Sequence, residues 1–226
     1  TERIAALKLE NGLRIRIGRI EGSIFGGTRL TSLRLSDDKG VFFEAPHVVL
    51  DWHPSRYLAN TLDIDTLSAP AATLHRLPAL QPSRTPQPIL PSFDVRVGRF
   101  AIERLTLGPA IVKPARVARL AGRADVRGGR ALVELEARSS AGDRALVKLD
   151  SAPDKNIFDI GATIDAPANG AIAGLLGASK PLVLKLGGDG SWTKWKGLLK
   201  ARLGNSDVAD LALIAQRGRY GLTGTV

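Results

Sequence analysis

Apolar and polar residues trade places one for one along much of this chain, and a period of two restricts it to β-sheet. Val133, Leu135 and Ala137 alternate with Glu134, Glu136 and Arg138. Ala145, Val147 and Leu149 alternate with Leu146, Lys148 and Asp150. Phe158, Ile160, Ala162 and Ile164 follow the same rule, as do Leu182, Leu184 and Leu186, then Leu199, Ala201 and Leu203. Ala209, Leu211 and Leu213 come next, then Tyr220 and Leu222. Turn residues separate these runs at Gly128-Gly129, 139–143, 152–156, 187–190, 204–206 and Arg217-Gly218. Strands with one wet face joined by short turns predict an antiparallel meander.

Helix is scarce. Residues 1–10 place Ile4, Ala5 and Leu7 at helical spacing and predict a short leading helix. Residues 54–60 predict a turn or two with Pro54 as the first helical residue. Residues 169–178 carry no charge, have an N-cap at Asn169, and must pack against something. Residues 68–92, "SAPAATLHRLPALQPSRTPQPILPS", are proline-rich and read as an extended, poorly ordered connection. They divide an N-terminal β unit, 1–67, from a second β unit, 93–226, whose alternation runs to the last residue and predicts an open sheet edge there. The two units echo each other: Ile15-Arg16-Ile17-Gly18-Arg19-Ile20 matches Val95-Arg96-Val97-Gly98-Arg99-Phe100. A glycine inside such a strand predicts a bulge.

Composition narrows the partners. The net charge is +10, but Arg and Lys are scattered through all 226 residues and only 5% of the chain is aromatic. A nucleic-acid reader clusters its basic residues and interleaves aromatics, so no nucleic-acid partner is expected. No Cys is present, which excludes disulfides and thiolate chemistry. No apolar run approaches the ~20 residues of a membrane-spanning helix. The chain contains no Met, so no start codon is represented, and it reads as a piece of a longer protein.

Catalytic and metal signatures are missing. His47 and His53 are six apart, the wrong spacing for a helical ligand pair, and His75 stands alone. Asp63 and Asp65 share one strand face but lack the oxygen-rich loop of a calcium site, which leaves a solvated face. The "GGDG" run at 187–190 leads into another strand pattern instead of a phosphate-binding helix, and reads as a hairpin turn. Ser23 and Ser191 lack nucleophile-elbow context. No enzyme, cofactor or metal is therefore expected. Trp52, Trp192 and Trp195 read as plugs at sheet ends in preference to interfacial anchors.

Several blocks together resemble the periplasmic part of the TamB family, a subunit of the bacterial translocation and assembly module and a relative of AsmA-like proteins. They are Gly12-Leu13, Glu21-Gly22-Ser23, Phe25-Gly26, Asp37 with Gly40, and Leu50-Asp51-Trp52 before Pro54. "LPSFDVRVGRFAIERLTLG" and "GDGSWTKWKGLLKARLG" resemble the family too. The resemblance implies a mainly β fold: a long antiparallel sheet with few short helices, curled lengthwise into a trough with an apolar inner wall. It implies an inner-membrane anchor ahead of the chain, a periplasmic location, and an outer-membrane β-barrel partner, TamA. It also implies phospholipid acyl chains as cargo, carried between the membranes for outer-membrane biogenesis. The alternative role is a scaffold acting with TamA in outer-membrane protein insertion and autotransporter secretion. The wall would be formed by Val133, Leu135, Val147, Leu149, Ile160, Ile164, Leu182, Leu184, Leu186, Leu199, Leu203, Leu211 and Leu213. A sealed sandwich would use the same alternation.

Overall fold

The computed structural model describes residues 5–8, 12–23, 27–79, 90–168, 170–175, 177, 179–191, 193–216 and 219–225. The protein is mainly β, with sixteen strands, two short α-helices and one 3-10 turn among those residues. It forms two compact units, Thr1–Ala121 and Gly122–Val226.

Unit one contains β1 (Ala5–Lys8), β2 (Arg14–Ile17), β3 (Arg19–Gly22), β4 (Thr28–Asp37), β5 (Gly40–Trp52), α1 (Pro54–Tyr57), β6 (Thr61–Ala69), β7 (Ala72–Leu74) and β8 (Asp94–Leu107). The strand β9 (Arg116–Arg127) straddles the division between the units. Residues 5–8 are strand, paired from Ala5↔Ile17 to Lys8↔Arg14, where a leading helix was expected. So short a segment gains little as a helix, and β2 offers it a ladder. Around Pro54 the reading holds: α1 begins with proline at its first turn.

The proline-rich stretch is no domain linker. β6 and β8 lie side by side and parallel, in step from Thr61↔Asp94 to Ala69↔Ile102. Parallel neighbours need a crossover of a dozen or more residues, and the stretch between them supplies it. The boundary expected at 67/93 therefore lies inside unit one, and the sheet is not purely antiparallel. Nor is the whole stretch without structure. β7 pairs with β5 at Phe43↔Leu74 and with β8 from Ala72↔Leu105 to Leu74↔Leu107. The remainder of that expectation, at 80–89, lies outside the described residues.

The echoed glycines do different jobs. Gly18 separates β2 from β3, both of which pair with β4, and Ser32 opposite has φ 56°, so the irregularity expected there exists. A Cβ on Gly18 would stand 3.0 Å from that of Ser32. Gly98 makes no bulge, because β8 stays in step with β6 on both sides of it. Its lack of a side chain serves close approach: a Cβ there would stand 3.0 Å from the Asp65 carbonyl oxygen.

The start of the crossover is tied down by Asp37, at the end of β4. Its Oδ1 accepts the Lys39 N–H at 2.7 Å and shapes the turn into β5. Its Oδ2 accepts Arg76 Nη1 at 2.7 Å and the Ala79 N–H at 2.7 Å. Arg76 also donates to Gly40 O at 2.7 Å and lies over the Phe42 ring. Hydrogen bonding from Arg76, reinforced by the two backbone donors, holds the Asp37 carboxyl far below the usual carboxylate range despite its burial. The sign follows. A depressed carboxylate contributes stability above the unfolded value of about 3.9 and loses it as pH falls below that value. Asp37→Asn is therefore expected to lower the melting temperature at pH 7, and the gap from the unaltered protein should close as thermal scans move below about pH 4.

Candidate functional site: an apolar sheet face

Unit two is a single ladder of antiparallel strands: β10 (Arg130–Ser139), β11 (Arg144–Ala152), β12 (Ile157–Ala166), β13 (Leu182–Gly190), β14 (Lys194–Leu203), β15 (Ser206–Gln216) and β16 (Arg219–Thr225). Tight turns make this possible. Gly128 and Gly129 take φ 55° and 72°, and Asn156 takes φ 57° after the 3-10 turn Pro153–Lys155. "GGDG" is not the expected hairpin turn: it lies within β13, and beyond it the Ser191 N–H bonds Lys194 O at 2.9 Å.

The strands pair in step, so the period of two becomes rows. Leu135, Val147, Ala162, Leu186, Leu199, Leu211 and Gly224 face one another in succession across seven strands. One step along lie Val133, Leu149, Ile160, Gly188, Gly197, Leu213 and Leu222. On the other side lie Ala137, Ala145, Ile164, Leu184, Ala201 and Ala209, and beyond them Ala166, Leu182 and Leu203. All the wall positions expected from sequence thus share one face of one sheet. At about 4.8 Å per strand, a seven-strand row is about 29 Å long.

This face is not packed like a protein core. Leu182 is buried at 7% exposure, but every other predicted wall residue is only half-buried. Apart from α2 (Ala171–Leu175), the described residues of unit two are strands of this sheet and their turns. α2 covers one end of the face, where Ala173 packs with Ala166 and Leu182 and against Ile164 and Leu203. The charge-free helix expected near 169–178 is therefore present and packed, although Asn169 lies outside the described residues.

The cap of α2 comes from elsewhere. Asp143, before β11, accepts the Ala171 N–H at 2.8 Å and the Ile172 N–H at 3.0 Å, together with the Ser139 hydroxyl. Burial pushes its pKa up, but these donors outweigh it and leave the carboxyl below its ordinary value. Sequence offered no signal for the pairing, since 28 residues separate cap and helix.

The opposite face carries the charges. Glu134 takes Arg123 and Lys148, Asp150 takes Arg130, Asp210 takes Lys200, and Asp207 takes Arg202. Hydrogen bonding to Arg123 and Arg130 pulls Glu134 and Asp150 below their usual range. Arg123, Arg130, Lys148, Lys200 and Arg202 are thus cross-strand partners of acidic residues. Exposed pairs of this kind add solubility more than stability.

Unit one has an apolar hollow of its own. A cavity of about 410 Å³ is lined by Leu33, Phe43, Val48, Leu67, Phe100, Ile102, Leu105 and Leu120 among others, with no polar surface. The acidic pair in this unit corrects another expectation. Asp63 is buried, not solvated, and holds Arg96 Nη1 at 2.9 Å and Arg56 Nε at 3.1 Å. Asp65 is half-exposed and meets His53 Nε2 at 2.7 Å. His75 meets Glu44 at 3.0 Å, and His47 is exposed. Among the described residues no three His, Asp or Glu side chains converge as metal ligands would, and no helix is long and apolar enough to cross a membrane. No family model, curated protein or solved structure matches the chain.

Asp143→Ala is expected to cost about 1–3 kcal/mol by stranding two helix donors, of which the Ala171 N–H is buried. Denaturant unfolding measures the cost, and faster amide exchange at Ala171 and Ile172 identifies the helix as its source.

Proposed function

We propose that this chain is a noncatalytic section of a lipid-carrying groove of the TamB kind. In this reading its apolar face forms the inner wall of a curled sheet along which phospholipid acyl chains pass between the inner and outer membranes. The longer protein is anchored in the inner membrane, lies in the periplasm, and meets the β-barrel TamA at the outer membrane. The observation that carries this reading is the half-exposed apolar wall of unit two. A sealed sandwich would bury those side chains fully against a second sheet, and a large apolar patch left only half-buried points to a use for it. The dimensions agree. One leaflet of a bilayer core is about 15 Å thick, so a row of about 29 Å accommodates two acyl lengths end to end. Paired charges on the other face keep that side in water.

Leu184→Asp tests the reading, with Lys185→Glu as the outward control. Leu184 is half-exposed, so the new carboxylate still reaches water, and the stability cost should be about 1–2 kcal/mol instead of the ~2–5 kcal/mol of a breached core. Lys185→Glu should change stability by no more than about 0.5 kcal/mol. Phospholipid should co-purify, without detergent, with the unaltered protein and with Lys185→Glu, and should be lost from Leu184→Asp. Outright unfolding of Leu184→Asp, or undiminished lipid on it, would defeat the proposal. Protein without lipid that crosslinks to client β-strands would favour the scaffold role.

A further inference from the structure

One row of the apolar wall is interrupted. Between Ile160 on β12 and Leu213 on β15 stand two facing glycines, Gly188 and Gly197. Their place is taken by the indole of Trp195. A Cβ on Gly188 would lie 2.0 Å from Trp195 Cζ2, and one on Gly197 would lie 2.3 Å from Cη2. The ring can rest on the sheet only because both positions lack side chains. Phe158 stands beside it, ring centroids 6.3 Å apart and tilted by 58°.

Two further observations meet at this ring. A cavity of about 330 Å³ opens beside it, lined by Phe158, Trp195, Leu213, Ala215, Leu222 and Ser191, and its surface is mainly apolar. The Trp195 indole N–H is buried and has no acceptor among the described residues. A buried indole N–H ordinarily finds a partner, and a missing one is costly. Ser191 does not supply it: its hydroxyl bonds Lys194 O at 3.2 Å, accepts the Lys194 N–H at 2.8 Å and meets Thr193 Oγ1 at 3.2 Å, and it makes no bond to the indole.

From these we infer that the cavity beside Trp195 is a binding site for the carbonyl end of an acyl chain, with the indole as its adjustable wall and recognition donor. The inference rests on the lipid-groove reading and gives it a chemically specific stop. The apolar lining takes the chain, and the carbonyl oxygen supplies the acceptor that the described residues do not offer. A hydrocarbon would leave the N–H unpaired. The nitrogen is sealed from water while the ring lies on the glycines, so an occupant meets it by lifting the ring.

The experiment uses the full chain, freed of lipid and labelled with ¹⁵N at its three tryptophans. Its probes are palmitate, methyl palmitate, hexadecane and vesicles of phosphatidylglycerol. The Trp195 indole resonance should move with palmitate or with the vesicles, and with methyl palmitate, but not with hexadecane. Movement with palmitate alone identifies free fatty acid as the source, and movement with vesicles identifies a lipid ester; either supports the site. Trp195→Phe, which keeps a ring and removes the N–H, should weaken methyl palmitate binding about two- to tenfold and leave hexadecane binding unchanged. If that variant does not fold, Trp52→Phe and Trp192→Phe assign the resonance by elimination and the shift still decides. A resonance unmoved by every probe, or moved as far by hexadecane, overturns the inference. In a protein that still carries lipid, that result removes this site and leaves the groove; a protein that binds no lipid at all removes the groove itself.

Discussion

Everything distinctive about unit two depends on hydrogen-bonded strands pairing in step. Side chains alternate with a period of two, so a slip of one residue in any strand would send its leucines to the charged face and its lysines to the apolar one. Leu184 sits between Ile164 and Ala201, whereas Lys185 sits between Thr163 and Lys200, and only the register separates those fates. Turn chemistry at Gly128-Gly129 and Asn156 fixes that register locally. The irregularity at Ala201/Arg202 falls near the end of β14, between the row through Ala201 and the last one, through Leu203.

Buried carboxylates do a second job, at the places where the chain leaves the sheet. Asp37 fastens the start of the crossover, Asp63 gathers Arg56 and Arg96 near α1, and Asp143 caps α2 across the fold. Removing a charge from water is expensive, so each is tolerated only because it accepts several hydrogen bonds or ion pairs at once. The depressed pKa of Asp37 and of Asp143 records the surplus of donors over burial. These aspartates bring order to stretches that have no ladder to hold them.

The apolar wall is built with little bulk. Its rows mix Leu, Val and Ile with Ala and Gly, and among the described residues no large side chain is fully buried. A core packed to crystal-like density needs large and small side chains interlocked from two layers. Here a single layer presents them to one side, and the largest group on it, Trp195, is seated on a pair of glycines.

Periodicity by itself determined the strands from β10 to β15, the face each apolar residue takes, and the charge-free helix that had to pack. These are local consequences of alternation, turn residues and propensity, which neighbouring residues encode together. What the sequence misplaced were features set by distant partners. Residues 5–8 became strand because β2 lay beside them, and the proline-rich stretch became a crossover because β8 chose β6 as a parallel neighbour. Asp63 and Asp143 became buried because arginines and helix donors from elsewhere met them. Gly188 read as part of a hairpin turn, whereas the structure sets it in β13 facing Gly197, where Trp195 needs the space. Whether a half-apolar strand is covered, paired or left open depends on which other segments arrive at it. That is a long-range choice, and no short window of residues contains it.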